Sequence, residues 1–322
     1  MNIFITGASG FVGGAVSQAL KDKHQIFAMA RSERSAKKVK EVGATPIKCA
    51  LNSVTVENLK DIDLIIHSAA FVEEWGTRQQ FWQANVEGTR QLLDVAKKAG
   101  VKKFMHISTE ATLFNGQDMI DIDENYPYPD STPFLYSETK REAEKLVIKA
   151  NQQDQFETVV IRPRLIWGPG DLTVLPATLK MVKSGSFRWI DHGKNKTATV
   201  HIDNLVHGIL LAIDKARAGQ IYFITDDEEW TIKDFLTGLL ATQNVTAPNK
   251  NISKGMLRRV ASVLDEIWRL FRIKKAPPIT KFAANIMSAD CTINLAKAKK
   301  ELGYQPVISV QEGFDQLKKS SN

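Results

Sequence analysis

Asn2-Ile3-Phe4-Ile5-Thr6-Gly7-Ala8-Ser9-Gly10-Phe11-Val12-Gly13 follows the initial methionine. Residues 2–6 are a short apolar run of strand length, and residues 11–20 read as a helix. Three glycines, each three residues from the next, run from the turn between them into the first turn of the helix. Gly7 permits a tight turn, Gly10 lets backbone approach a pyrophosphate, and Gly13 lets the helix pack close to the strand. The helix N-terminus then offers unpaired N–H groups and a positive dipole end to phosphate. The spacing is Gly-x-x-Gly-x-x-Gly, not Gly-x-Gly-x-x-Gly. A strand before and a helix after favour a dinucleotide turn over a merely flexible loop.

Working outward, the same alternation continues. Further strands are expected at 25–30, 45–49, 63–67, 103–107 and 158–161, with helices between most of them, notably 78–99 and 133–150. Strands alternating with helices imply an α/β fold, a Rossmann-type doubly wound parallel sheet whose ligands bind beyond the carboxyl ends of the strands. We expect residues 1–168, with 199–226 returning to them, to form the nucleotide-binding domain. Residues 169–198 and 227–322 are expected to form a smaller C-terminal substrate lobe.

The chain has 322 residues, 43% of them hydrophobic and 25% charged, enough for a sizeable core with no sign of disorder or repeats. Cys49 and Cys291 are far apart and match no metal-ligand spacing, so two reduced thiols in a cytoplasmic protein are expected. The N-terminus lacks the basic region of a signal peptide, and no apolar stretch is long enough to span a bilayer. The net charge of +7 is concentrated: residues 254–275 hold seven basic and two acidic side chains, a net of +5. The rest is nearly balanced, which argues against a nucleic-acid partner. Within 255–272, Met256, Val260, Leu264, Ile267, Trp268 and Phe271 recur at helical spacing. One reading is a membrane-surface helix. The other, which follows the general behaviour of such stripes, is a lobe helix with its apolar stripe buried and its charges in water.

The end of the second strand selects the nucleotide. An acidic residue there would bind the ribose hydroxyls of NAD, but the chain carries Arg31-Ser32. Arg31 presents a fork of donors suited to a 2′-phosphate, Ser32 could add a hydroxyl, and Lys37 and Lys38 enrich the positive field. This points to NADP, with NAD the lesser choice. Tyr136 and Lys140 stand at i and i+4, hence on one helix face. There an ammonium can lower a phenol's pKa and make it an acid/base near neutral pH.

Together these stretches resemble the extended short-chain dehydrogenases/reductases of the NAD-dependent epimerase/dehydratase superfamily. Residues 6–13 are similar to the family's cofactor turn and Tyr136-x-x-x-Lys140 to its catalytic pair. His67-Ser68-Ala69-Ala70 and Asn85-Val86-Glu87-Gly88-Thr89 resemble its fourth-strand and N-V-x-G-T segments. The run 162–171, His201-Ile202-Asp203-Asn204 and Leu302-Gly303-Tyr304-Gln305-Pro306 resemble later signatures. The resemblance covers about residues 2–315. Asn115-Gly116 and Tyr126-Pro127-Tyr128-Pro129 look most like the 3β-hydroxysteroid dehydrogenase and dihydroflavonol reductase branch, whose substrates are fairly apolar alcohols or ketones.

The resemblance implies hydride transfer between NADP(H) and a small substrate, with Tyr136 exchanging a proton with its oxygen. Lys140 is implied to lower the Tyr136 pKa and to hold the nicotinamide ribose. Cofactor contacts are implied from Gly7, Ser9, Gly10, Phe11, Val12 and Gly13, from Ala69 and Ala70, and from Pro163. A hydroxyl after the fifth strand should orient the substrate oxygen: Thr109, with Ser108 the other choice. Sugar-nucleotide dehydratases resemble Ser-Thr-Asp-Glu here, but this chain has Ser108-Thr109-Glu110-Ala111, which breaks the carboxyl pair that removes water. Glu110 is left either touching substrate or lying at the cleft rim. Trp167, Phe187 and Trp189 either wall a substrate pocket or pack the core. Two alternatives remain, a sugar-nucleotide epimerase and a non-catalytic NADP(H)-binding redox sensor. The first lacks its usual Arg-aromatic approach to His201, and the second usually lacks the Tyr/Lys pair. A homodimer is a family-level expectation.

Overall fold

A computed structural model describes residues 1–320. Its main sheet has seven parallel strands: β1 (Asn2–Thr6), β2 (Gln25–Ala30), β3 (Thr45–Lys48), β4 (Leu64–His67), β5 (Lys103–Ile107), β6 (Glu157–Pro163) and β7 (Gln220–Ile224). Their spatial order is β3-β2-β1-β4-β5-β6-β7. The order reverses between β1 and β4, where Thr6 pairs with His67, and His67 in turn pairs with His106 of β5. The crevice beyond the carboxyl ends of these central strands is where such a sheet takes its ligand.

Alternate residues feed two cores, as the strand period requires. Ile3, Ile5, Ile66 and Ile107 face helices α1 (Phe11–Leu20) and Ile202–Lys215. Phe4, Ile65, Phe104 and Val160 face the opposite way, with Leu92 and Val147 from helices Gly88–Lys98 and Leu135–Ala150. Where one helix over 78–99 is expected, a π-helical turn, Trp82–Glu87, interrupts it between Arg78–Phe81 and Gly88–Lys98.

A smaller four-stranded sheet joins Trp230–Thr231, Lys196–Thr197 and Cys291–Ile293, all beyond β6, to Met119–Ile122, which lies between β5 and β6. A third core joins Trp167, Phe187, Trp189, Phe235, Leu239 and Phe314. The three aromatics considered as pocket walls are therefore core residues, each at most 4% exposed.

The basic segment forms the helix Lys254–Leu270. Its apolar stripe is split, contrary to the general behaviour of such stripes: Leu264 and Trp268 are half-buried, while Met256, Val260, Ile267 and Phe271 are exposed. Ala261 and Asp265 occupy the packed face, while Met256, Val260, Val263 and Ile267 are exposed on the other. Among the described residues no helix is long and apolar enough to cross a membrane.

Candidate active site

Gly7 adopts φ +81°, and a Cβ there would come 2.9 Å from the Ala69 nitrogen. A Cβ on Gly13 would come 2.5 Å from the Gly7 carbonyl oxygen. Both positions thus require glycine, one for conformation and close approach, the other for close approach alone. The Gly10 N–H donates to the Gly7 carbonyl at 2.9 Å. Gly10 also caps α1 with no side-chain hydrogen bond, and no acidic residue lies in the first turn. The first-turn N–H groups are therefore free of side-chain partners, in a cradle that fits a pyrophosphate. Ser9, Phe11 and Val12 are half-buried around it, as are Ala69 and Ala70 after β4.

At the end of β2, Arg31 is exposed and makes no ion pair among the described residues. Ser32 caps α2 (Glu33–Glu41), its Oγ accepting from the Ser35 N–H at 3.2 Å in a capping box. Its hydroxyl is engaged locally, and the exposed Arg34 in the first turn of α2 joins Arg31, Lys37 and Lys38 as a further cation near this edge. Arg34 escaped the sequence reading, although it stands only three residues after Arg31.

Tyr136 and Lys140 lie in the first turns of helix Leu135–Ala150. The Tyr136 ring packs against Phe282 of the lobe, with centroids 5.5 Å apart. Its hydroxyl is desolvated, and that burial, together with the Glu110 charge, holds the phenol above its ordinary range; a hydrogen bond with the Thr109 hydroxyl opposes them. Lys140 is not among the causes. Its Nζ donates to the Ile107 carbonyl at 2.8 Å and lies 3.4 Å from His106 Nε2. Burial lowers Lys140 to about 8, while the Glu144 carboxylate raises it. The expectation that Lys140 lowers the Tyr136 pKa is therefore not met in this structure, because the ammonium is directed to the end of β5.

Ser108 and Thr109 follow β5 and are both buried. The Ser108 N–H donates to the Ile161 carbonyl at 2.7 Å, while its Oγ has no partner. Thr109 Oγ1 donates to Glu110 Oε2 at 2.7 Å and accepts from the Ala111 N–H at 3.2 Å. Glu110 Oε1 accepts from Arg164 Nη1 at 2.6 Å. Glu110 is 4% exposed, so it is no rim carboxylate: it is ion-paired on one side and bonded to Thr109 on the other. Two residues upstream, Arg162 pairs with Glu144 at 2.5 Å, and Tyr128 donates to the same carboxylate. Pro163, between the two arginines, ends β6 and is buried.

A polar chain behind the site explains two of the sequence motifs. The Thr89 hydroxyl donates to the Asn85 carbonyl at 2.6 Å, so its oxygen must accept from His67 Nε2, 3.0 Å away. The Thr6 hydroxyl is then the donor to His67 Nδ1, at 2.7 Å, and Thr6 accepts from the Ala69 N–H at 3.1 Å. Burial, aided by the Lys140 charge, pushes His67 down to about 3, so the ring stays neutral and the order of donors is stable. Asn85, in the π turn, accepts from the Phe71 N–H at 2.7 Å and donates to Thr139 Oγ1 at 3.1 Å. It thus ties the loop after β4 to the helix of Tyr136 and Lys140. Such π turns recur at functional sites.

The later signatures have a different use. The buried Asp226 carboxylate accepts from Trp167 Nε1, Thr199 Oγ1, the His201 N–H and Asn204 Nδ2, all within 2.9 Å. Asn204 also holds the backbone of Val307 and Ile308, and the Tyr304 hydroxyl donates to the Thr225 carbonyl. These residues fasten the lobe to the sheet.

A model of the 3-beta hydroxysteroid dehydrogenase/isomerase family matches residues 4–253. The 4-hydroxy-2-methyl-3-oxo-4-farnesyl-3,4-dihydroquinoline-1-oxide ketoreductase of Stigmatella aurantiaca is 36% identical over 324 residues, covering 99% of this chain and 96% of the relative. The 2-alkyl-3-oxoalkanoate reductase of Stenotrophomonas maltophilia (strain K279a) is 31% identical over 330 residues, covering 100% and 99%. UDP-glucuronic acid 4-epimerase from Bacillus cereus, solved in complex with NAD, superposes with a TM-score of 0.77 over 100% of both chains. At 19% identity that last likeness is one of fold.

Proposed function

The chain belongs to the 3-beta hydroxysteroid dehydrogenase/isomerase family, among the extended NAD(P)-dependent short-chain dehydrogenases/reductases, and from that premise we propose an NADP(H)-dependent reductase of ketones in small, apolar molecules. One arrangement carries this reading: the Tyr136 phenol is desolvated beside Thr109 and Glu110, whose side chains are hydrogen-bonded to each other. The phenol is therefore in its protonated form, the form that carbonyl reduction consumes, although its raised pKa makes it a weaker acid than a free tyrosine. The two bacterial relatives described above are both named as reductases of oxo compounds, one carrying a farnesyl and one an alkyl group.

NADP(H), when bound, supplies the hydride. Gly7, Gly10 and Gly13, with the N–H groups of the first turn of α1, hold its pyrophosphate. Arg31, helped by Arg34, binds the 2′-phosphate, and Ala69, Ala70 and Pro163 line the crevice. Lys140 holds a ribose hydroxyl from the end of β5. A substrate oxygen entering between Thr109 and Tyr136 takes the phenol's proton as its carbon becomes that of an alcohol. Thr109 turns its donor from Glu110 to that oxygen, and the unpartnered Ser108 hydroxyl is the second candidate for this role. Arg164 holds the other Glu110 oxygen while this occurs. In this reading residues 1–168 and 199–226 carry the cofactor and the rest carries substrate, in a homodimer acting in the cytoplasm.

The test is NADPH consumption against a panel of 2-alkyl-3-oxo acids, prenylated cyclic ketones and steroid ketones, repeated with NADH. Turnover of at least one ketone, faster with NADPH, is expected. No turnover across the panel despite tight NADPH binding counts against a reductase, and faster turnover with NADH counts against the Arg31 assignment.

A further inference from the structure

The helix Lys254–Leu270 presents an apolar face that none of the described residues covers. Met256, Val260, Val263, Ile267, Leu270 and Phe271 recur at three- and four-residue steps, on one side of the helix. Leu270 is 77% and Phe271 70% exposed, and Ile273 just beyond is exposed too. Half of the exposed large hydrophobic side chains among the described residues therefore fall within this one segment. The opposite face is seated: Ala261 is fully buried, and Asp265 accepts from the Lys281 N–H in the neighbouring helix. The stripe is thus the outward side of a docked helix and not a misplaced core. A continuous exposed apolar surface of this kind marks an interaction site.

Charge selects the occupant. Lys254, Arg258 and Arg269 are engaged with Asp118, Ser288 and Asp265. Arg259, Arg272, Lys274 and Lys275 are exposed and have no partner among the described residues. Glu266 is the only exposed acid on this helix. Two copies meeting through this face would bring unpaired cations together. A bilayer with anionic headgroups meets both requirements, taking the apolar side chains at the acyl boundary and the cations at the phosphates. The helix also has a fixed relation to the rest of the chain. Trp75, in the loop after β4, donates to the Ile273 carbonyl at 3.1 Å, and the Arg269 guanidinium lies 4.8 Å over its ring.

We infer that the Lys254–Leu270 helix docks this protein on an anionic lipid surface through Met256, Val260, Val263, Ile267, Leu270 and Phe271. The protein lies on the surface and does not cross it. The rim loop that carries Trp75 is held beside the docked face.

The test is vesicle flotation of the full chain with phosphatidylcholine alone and with phosphatidylcholine containing phosphatidylglycerol. Binding to the anionic vesicles is expected, at least about tenfold above the neutral ones and falling with added salt. Leu270→Glu with Phe271→Glu should reduce it at least about tenfold. Arg272→Glu with Lys274→Glu and Lys275→Glu should do the same, at about fivefold per charge. The substituted residues are exposed, so unchanged melting temperature and NADPH binding verify each variant's fold. Equal flotation with both lipids, or full binding by the Leu270/Phe271 variant, overturns the inference. So does light scattering that finds self-association abolished by that variant without any vesicle binding.

Discussion

Arg162 and Arg164 stand two residues apart, and each is buried against a glutamate, yet the two pairs act on the site in different ways. Both Glu144 oxygens accept from Arg162, and Oε1 accepts from Tyr128 as well. It reaches Lys140 only through its field, raising the ammonium's pKa from the same helix. Glu110 divides its two oxygens between Arg164 and Thr109, and Thr109 meets the Tyr136 hydroxyl. One carboxylate is scaffold that also biases a charge. The other is a member of the hydrogen-bonded group that handles the proton. The lesson is that burial and ion pairing alone do not identify a working carboxylate; the use of its second oxygen does.

The sharpest way to break the comparison is to orphan Glu144. Arg162→Met should destabilise the fold by about 3–5 kcal/mol, because it leaves an uncompensated buried charge. Denaturant unfolding measures this, and a loss below about 1 kcal/mol would remove the scaffold role. Next comes Lys140 itself. Its folded pKa of about 8 lies below the ordinary 10.5, so the unfolded chain binds more protons between those values. Stability relative to Lys140→Met should therefore rise with pH across that window, by up to about 3 kcal/mol. A flat difference would mean that Lys140 is not desolvated.

Glu110→Gln tests the contact side. Turnover should fall about tenfold to hundredfold, with the KM for NADPH changed less than about twofold. Removing the negative charge also lowers the Tyr136 pKa, so the alkaline limb of ketone reduction should move to lower pH. An unmoved limb would make Glu110 a second scaffold carboxylate. The smallest effect is expected farthest from both pairs. Arg31→Ala should raise the KM for NADPH about tenfold and leave that for NADH nearly unchanged. Equal effects on the two cofactors would break the 2′-phosphate assignment.

The parts legible in the sequence are those set by local rules. Strand alternation and the three glycines marked β1, β2, β4 and β5 and the turn at Gly7 almost to the residue, because period and backbone freedom are read over a few neighbours. The same holds for the Tyr136–Lys140 helix face. Three features were not legible for one physical reason, namely that they depend on distant partners. Glu110 meets Arg164 across 54 positions, and Asn85 meets Thr139 across 54 as well. The direction of Lys140 depends on where β5 ends beneath it. The exposed stripe of helix Lys254–Leu270 differs again. Its periodicity was plain, but periodicity marks a face and does not say what covers it.

The central claim is that Tyr136 gives the proton in an NADP(H)-dependent ketone reduction. Its most direct test is Tyr136→Phe, with NADPH binding and single-turnover hydride transfer to an active ketone measured on the same preparation. The account predicts NADPH affinity within about twofold of the unaltered protein and transfer slowed by about a thousandfold. Transfer within about tenfold, with binding intact, would contradict it.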